Sequence, residues 1–185
     1  MASQAGQRLS GDHRAVNEVL KQLLTALDNK NVEASYRKLD LLWARLAVHI
    51  RAEHLHLFPT LVNCLTGSIA GAPGPDLSEA QTIIAKLRAD HDFFMRELAR
   101  AVGILRDLPR PLDIKDEARW TAVVDIVLSV KTRLENHNEL EENQLYGWSD
   151  TILPIPEQID LAARINAELE HHPPRFSAED WVKEL

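Results

Sequence analysis

The chain predicts an all-α fold, an antiparallel up-down four-helix bundle with a short C-terminal helical extension. Three observations carry this. Apolar residues recur at steps of three and four along four long segments, the spacing that lines one face of a helix. Proline and glycine gather in a few stretches between them, GSIAGAPGPD at 67–76, LPRPLD at 108–113, GWSDTILPIP at 147–156 and HHPP at 171–174, and mark loops. Strand signals are nearly absent, with no sustained alternation and no Asn-Gly or Asp-Gly hairpin turn.

The first stripe is Leu9, His13, Val16, Leu20, Leu23 and Leu27, running to a turn near Asn29. The second is Leu39, Leu42, Leu46, His49, Glu53 and Leu57, with its helix ending near Thr66. The third opens at Ser78, where Gln81 completes a capping-box pattern, and continues through Ile83, Ile84, Leu87, His91, Phe94, Met95, Leu98, Val102 and Leu105. The fourth, capped by Asp113 or Asp116, holds Val123, Val124, Val127, Val130, Leu134, His137, Glu141 and Leu145. Short connections make such helices antiparallel neighbours. Residues 157–170 read as a shorter amphipathic helix, and SAEDWVKEL adds a last turn capped by Ser177. These limits give a bundle domain at 9–148 and an extension at 149–185 packed on its outside. There is no repeat at a solenoid period.

Composition narrows the function classes. A chain of 185 residues is long enough for one domain with a substantial core, and no apolar run approaches the roughly 20 residues that span a bilayer. The start, MASQAGQRLSGDH, lacks the basic head and apolar body of a secretory signal. A single cysteine, Cys64, excludes an internal disulfide, so the expected compartment is a reducing cytoplasm. A net charge of −7 argues against nucleic acid as a partner, because phosphate binding needs a basic face. Neither a nucleophile elbow nor a phosphate loop is present.

Each stripe is interrupted by residues able to bind a metal: His13, then His49 and Glu53, then His91, then His137 and Glu141. Residues i and i+4 share a helix face with Cβ atoms about 5–6 Å apart, so each His-x-x-x-Glu pair can reach a common centre between helices. Glu53 and His91 also lie equally far from the loop that joins their helices, which puts them near one height. A lone histidine on an apolar face is ordinarily a hydrogen-bonded core residue. Two glutamates on such faces are harder to accommodate, since an unpaired buried carboxylate costs several kcal/mol or takes up a proton. Six nitrogen and oxygen ligands without cysteine suit iron better than tetrahedral zinc. Two carboxylates could bridge two irons, each receiving two imidazoles and keeping open positions.

The ordered pattern Asp12-His13, His49-x-x-x-Glu53 followed by Leu57-Phe58-Pro59, Asp90-His91, and His137-x-x-x-Glu141-Glu142 resembles the hemerythrin-like, HHE cation-binding domain family over roughly residues 9–148. The resemblance implies a four-helix bundle holding two iron ions (Fe2+/Fe3+), bridged by oxo or hydroxo and by Glu53 and Glu141. It implies a small diatomic or peroxide ligand, O2, NO or peroxide, bound or sensed at the centre, with a redox partner the sequence does not name. Oxygen-carrying members place a second histidine four residues along the third helix, where this chain has Met95, and Leu87 stands one turn earlier. Four imidazoles in place of five leave the irons less saturated and open to reactive chemistry. The residue after Glu53, usually acidic in such domains, is His54, which is expected to support the site from outside or face water.

Alternatives remain: a di-iron oxidase or peroxidase, an iron-donating iron–sulfur repair protein, or a bundle that binds partners without metal. Glu53-x-x-His56 is also the spacing of ferritin-like di-iron proteins, but its second copy, Glu168-x-x-His171, falls in the tail. Tyr36 and Tyr146 could approach the cavity, as phenols do at some iron sites, but packing is their expected role and that of the four tryptophans, and Cys64 is expected to be inert. His171, His172, Glu139 and Glu142 read as solvated, with an outer place at the site as the other reading of Glu139 and Glu142.

Overall fold

A computed structural model describes residues 4–67, 74–176 and Trp181, and every regular element among them is helical. In order these are α1 (Gln4–Asp28), α2 (Val32–Ala52), a π-helical turn (Glu53–Leu57), α3 (Phe58–Thr66), α4 (Leu77–Arg106), a 3₁₀ turn (Ile114–Asp116), α5 (Glu117–Leu140), a second π-helical turn (Glu141–Leu145), α6 (Tyr146–Ile152) and α7 (Ile155–Leu169). The chain forms a helical bundle. No helix among the described residues is long and apolar enough to cross a membrane.

Helix ends follow local chemistry. Asn31 caps α2 by accepting from the Ala34 amide at 3.0 Å. Asp76, not Ser78, caps α4, because its carboxylate accepts the Glu79 amide at 2.8 Å. The capping-box signal was therefore two residues late. Asp113 caps the 3₁₀ turn through Lys115, while Asp116 precedes α5 without a side-chain cap and pairs with Arg119 instead. The stretch expected to be a loop at 147–156 is mostly α6, because Gly147 and Ser149 continue the helix and the break comes only at Leu153-Pro154. The last helix spans Ile155–Leu169, close to the expected 157–170. Ser177 and its proposed turn lie outside the described residues, apart from Trp181, which is buried and donates its Nε1–H to the Leu169 carbonyl at 3.2 Å.

The apolar interior divides into two clusters, and the histidines mark the border on every long helix. One cluster takes Val16–Leu27 of α1, Leu39–Val48 of α2, Phe94–Leu105 of α4 and Trp120–Leu134 of α5. The other takes Ala5 and Leu9, then Ala52–Leu61, Ile84 and Leu87, Leu145 and Tyr146, and Leu161–Ile165 of α7. His13, His49, His91 and His137 each fall between the last residue of one cluster and the first of the other. α7 packs on α1 and α2.

Candidate metal centre

His13, His49, Glu53, His91, His137 and Glu141 are all buried, none more than 3% exposed, in a chain where burying even one charge needs compensation. The structure brings all six together. Glu53, His91, His137 and Glu141 each offer one atom, and these lie within 4.8 Å of one another; His13, His49 and Glu141 do the same.

The way each ring is held decides what it presents inward. His49 Nδ1–H donates to Asp12 at 3.0 Å, His137 Nδ1–H to Asp90 at 3.3 Å, and His13 Nδ1–H to Glu142 at 2.8 Å. His91 Nδ1 pairs with His54 Nε2 at 2.9 Å. An imidazole that donates from Nδ1 to a carboxylate turns a basic Nε2 to the other side, the arrangement that orients metal ligands. The Nε2 atoms meet in pairs, His13 with His49 at 3.1 Å and His91 with His137 at 3.0 Å. Two such nitrogens cannot face each other as lone pairs. A proton must lie between them, or a cation beside both.

The carboxylates repeat this conflict. Glu53 Oε2 and Glu141 Oε1 are fully buried and accept no hydrogen bond. Their nearest nitrogens are His91 Nε2 at 3.3 Å and His137 Nε2 at 3.1 Å. Without a metal, protons supply the balance. Burial alone would disfavour the His49 imidazolium, but the Glu53 charge and the Asp12 hydrogen bond outweigh it and hold its pKa well above the ordinary value. Burial likewise opposes ionisation of Glu53, yet His49 and His91 keep it well below the carboxylate range. Glu141 is lowered too, because the imidazoles overcome burial and the repulsion of Glu53. Four imidazoles and two carboxylates with unfilled acceptors fit a cation better than they fit one another.

Both carboxylates open a π-helical turn. The amide five residues on, Phe58 in one case and Tyr146 in the other, bonds back to the glutamate carbonyl. In a regular α-helix residue i+5 lies about 140° around the axis from residue i. In a π turn it takes the place that i+4 holds in an α turn. Phe58 is thereby brought against His91, with ring centroids 6.0 Å apart and nearly parallel, and Tyr146 stacks on His13 at 5.7 Å. The Tyr146 hydroxyl stands 3.1 Å from His13 Nε2, 3.1 Å from Glu53 Oε1 and 3.3 Å from Glu141 Oε2. Packing alone therefore does not describe Tyr146. Helical periodicity hides it, and only the π turn brings it in.

Asp12 and Asp90 were underread, and Glu142 takes the outer place given as its other reading. Glu142 is the outer partner of His13, and Asp12 and Asp90, whose histidine neighbours drew the attention, each reach across to the next helix's histidine. His54 takes the outer position expected of it. His56 lies away from the centre, 3.7 Å from Glu168, a residue that also pairs with Arg51, so one member of each copy of the ferritin-like spacing meets the other outside the cluster. Tyr36 packs on the larger core cluster under Arg110. The Cys64 thiol donates to the Ile152 carbonyl at 3.2 Å, and burial pushes its pKa up, as suits an inert thiol.

The family model of the hemerythrin HHE cation binding domain matches residues 5–149. The chain belongs to this family. The match covers both π turns and all six inward-facing residues, and it stops before α7. No curated protein and no solved structure matches the chain.

Proposed function

We propose that the protein is a non-haem di-iron protein that binds or senses O2, NO or peroxide inside an antiparallel up-down four-helix bundle at 9–148. In this reading His13 and His49 hold one iron, His91 and His137 the other, and Glu53 and Glu141 bridge them. Residues 149–185 are an extension laid on the bundle, and the compartment is a reducing cytoplasm.

The observation that carries the reading is a pair of carboxylates between two opposed pairs of imidazole nitrogens: their bare oxygens face His91 and His137, and their other oxygens face His13 and His49. Imidazole and carboxylate donors with open positions are the ligand chemistry of iron, and cysteine is absent from the cluster. Such a centre, when loaded, supplies a redox-active Lewis acid for a small ligand. The chain's own part is to orient and to exclude. Asp12, Asp90 and Glu142 fix three rings so that Nε2 faces inward. Leu87, Phe58 and Phe94, all fully buried, keep water from the layer on either side. Met95, in the place of a fifth imidazole, packs on the core and contributes no ring nitrogen.

Iron analysis of protein expressed with iron, together with visible spectra before and after O2, NO and peroxide, tests the proposal. About two irons per chain and a spectrum that responds to one of the ligands are expected, as for a two-metal site with open positions. Protein that takes up no iron, or iron that no ligand perturbs, overturns it.

A further inference from the structure

We infer that the Tyr146 phenol oxygen is itself a ligand, completing the coordination of the metal held by His13 and His49. The inference rests on the di-iron reading and goes beyond the six residues assigned there.

Count the protons around the hydroxyl. Three atoms lie within hydrogen-bond distance of it: His13 Nε2, Glu53 Oε1 and Glu141 Oε2. His13 gives its Nδ1 proton to Glu142, so in its neutral form it brings only a lone pair to Tyr146. The carboxylates bring only acceptors. With His13 neutral, the form a metal ligand must take, one phenol proton faces three acceptors. It can satisfy one and leaves its oxygen pressed against the lone pairs of the other two. This is the same conflict that the opposed Nε2 pairs and the bare carboxylate oxygens present, and a cation in each half of the centre resolves them. An oxygen that shares its nearest neighbours with the metal-binding atoms is placed as one of them.

The other half of the centre provides the contrast. Phe58 holds the corresponding place after Glu53, stacks on His91 in the same way, and offers no donor atom. The phenol oxygen is therefore available to one metal and not the other, which makes the two positions chemically unequal. On loading, the phenol proton leaves for solvent and the oxygen donates to the metal, as with other ligands that lose a proton on binding. A phenolate favours the higher oxidation state, so the iron beside His13 and His49 is the one held more firmly as Fe3+.

The test uses the full chain loaded with ferric iron. Wild type is expected to show a phenolate-to-iron charge-transfer band in the visible, with tyrosine ring modes enhanced when resonance Raman excitation falls within it. The chain has two tyrosines, so the assignment is direct. Tyr36→Phe keeps the band and the modes, and Tyr146→Phe loses both entirely. Should Tyr146→Phe bind too little iron to read, wild type carrying ring-deuterated tyrosine settles the point, because the enhanced modes must shift. Wild type with a full complement of iron and no enhanced tyrosine modes overturns the inference and leaves the di-iron reading standing. Wild type that takes up no iron overturns both.

Discussion

The centre is built from two half-sites that follow one plan and differ at two positions. The second helix of each pair carries Arg-Leu-x-x-His-x-x-x-Glu-x-x-x-Leu-aromatic, read as Arg45, His49, Glu53 and Phe58 in one and Arg133, His137, Glu141 and Tyr146 in the other. The first helix carries Asp-His, as Asp12-His13 and Asp90-His91. In both, the aspartate reaches the partner helix's histidine and is itself held by the arginine one turn before it: Asp12 by Arg45 at 3.3 Å, Asp90 by Arg133 at 2.6 Å. Each arginine also lies over an aromatic ring, Trp181 and Phe93 respectively. The residue after each glutamate crosses to the other half-site's first histidine, Glu142 to His13 and His54 to His91, and the aromatic does the same. His13 thus has a carboxylate and a phenol beside it, whereas His91 has an imidazole and a phenyl ring. One scaffold can give two metal-capable clusters unlike surroundings by changing residues that sit just outside them.

The largest expected effect tests whether the halves are separable. Glu141 belongs to both ligand groups, so Glu141→Ala should empty both positions. His13→Ala should leave roughly half the wild-type metal content, because the four ligands around His91 and His137 remain converged on one point. Metal analysis of the purified variants reads this directly. If His13→Ala loses everything, the half-sites act only as a pair.

Next come the two aspartates. Either Asp12→Ala or Asp90→Ala should weaken metal binding about 10–100-fold by releasing a ligand ring. Their effects on stability should part. Arg45 is 3% exposed, so removing Asp12 strands a buried charge and should cost about 3 kcal/mol in the metal-free chain. Arg133 is 41% exposed and can turn to water, so Asp90→Ala should cost under about 1 kcal/mol from this cause. Urea unfolding of the chelated variants would show it, and equal losses would mean that the environment of the arginine does not matter.

A smaller effect concerns pH. In the metal-free chain His49 is raised above its unfolded value, so its contribution is fully present below about pH 6.5 and is lost as pH climbs through the folded value. Glu53 and Glu141 are lowered, so theirs is present above the unfolded carboxylate range and is lost as pH falls through the folded values. Chelated protein should therefore be most stable at mildly acidic pH. Loaded protein should instead weaken on acidification, as protons displace the metal from nitrogen. Thermal melts across pH, with and without chelator, should diverge toward the alkaline side, and parallel curves would mean that no proton is exchanged for metal.

The smallest effect is expected at the rival spacing. His56→Ala and His171→Ala should leave metal content unchanged and move stability by no more than about 0.5 kcal/mol. His56 meets Glu168 outside the cluster, and no ring of the cluster depends on it.

Much of this was legible before any coordinates. Helical faces and the six inward residues follow from spacing, because a regular helix converts sequence distance into angle at a fixed rate, so His49 and Glu53, or His137 and Glu141, had to share a face. Asp76 was hidden by a competing cap signal two residues on, and α6 by a glycine and a serine that a helix can absorb. Tyr146 could be offered only as an alternative beside packing, for a deeper reason. Its place depends on a π turn that changes the rate at which sequence becomes angle, and nothing in its spacing announces that change. The outer partners, Asp12 on His49, Asp90 on His137, Glu142 on His13 and His54 on His91, join helices far apart along the chain. The sequence by itself decided which side chains face the interior. Only the packing of one helix against another decided which of them touch, because contact across helices depends on their rotation and offset, and no periodicity within a single helix carries that information.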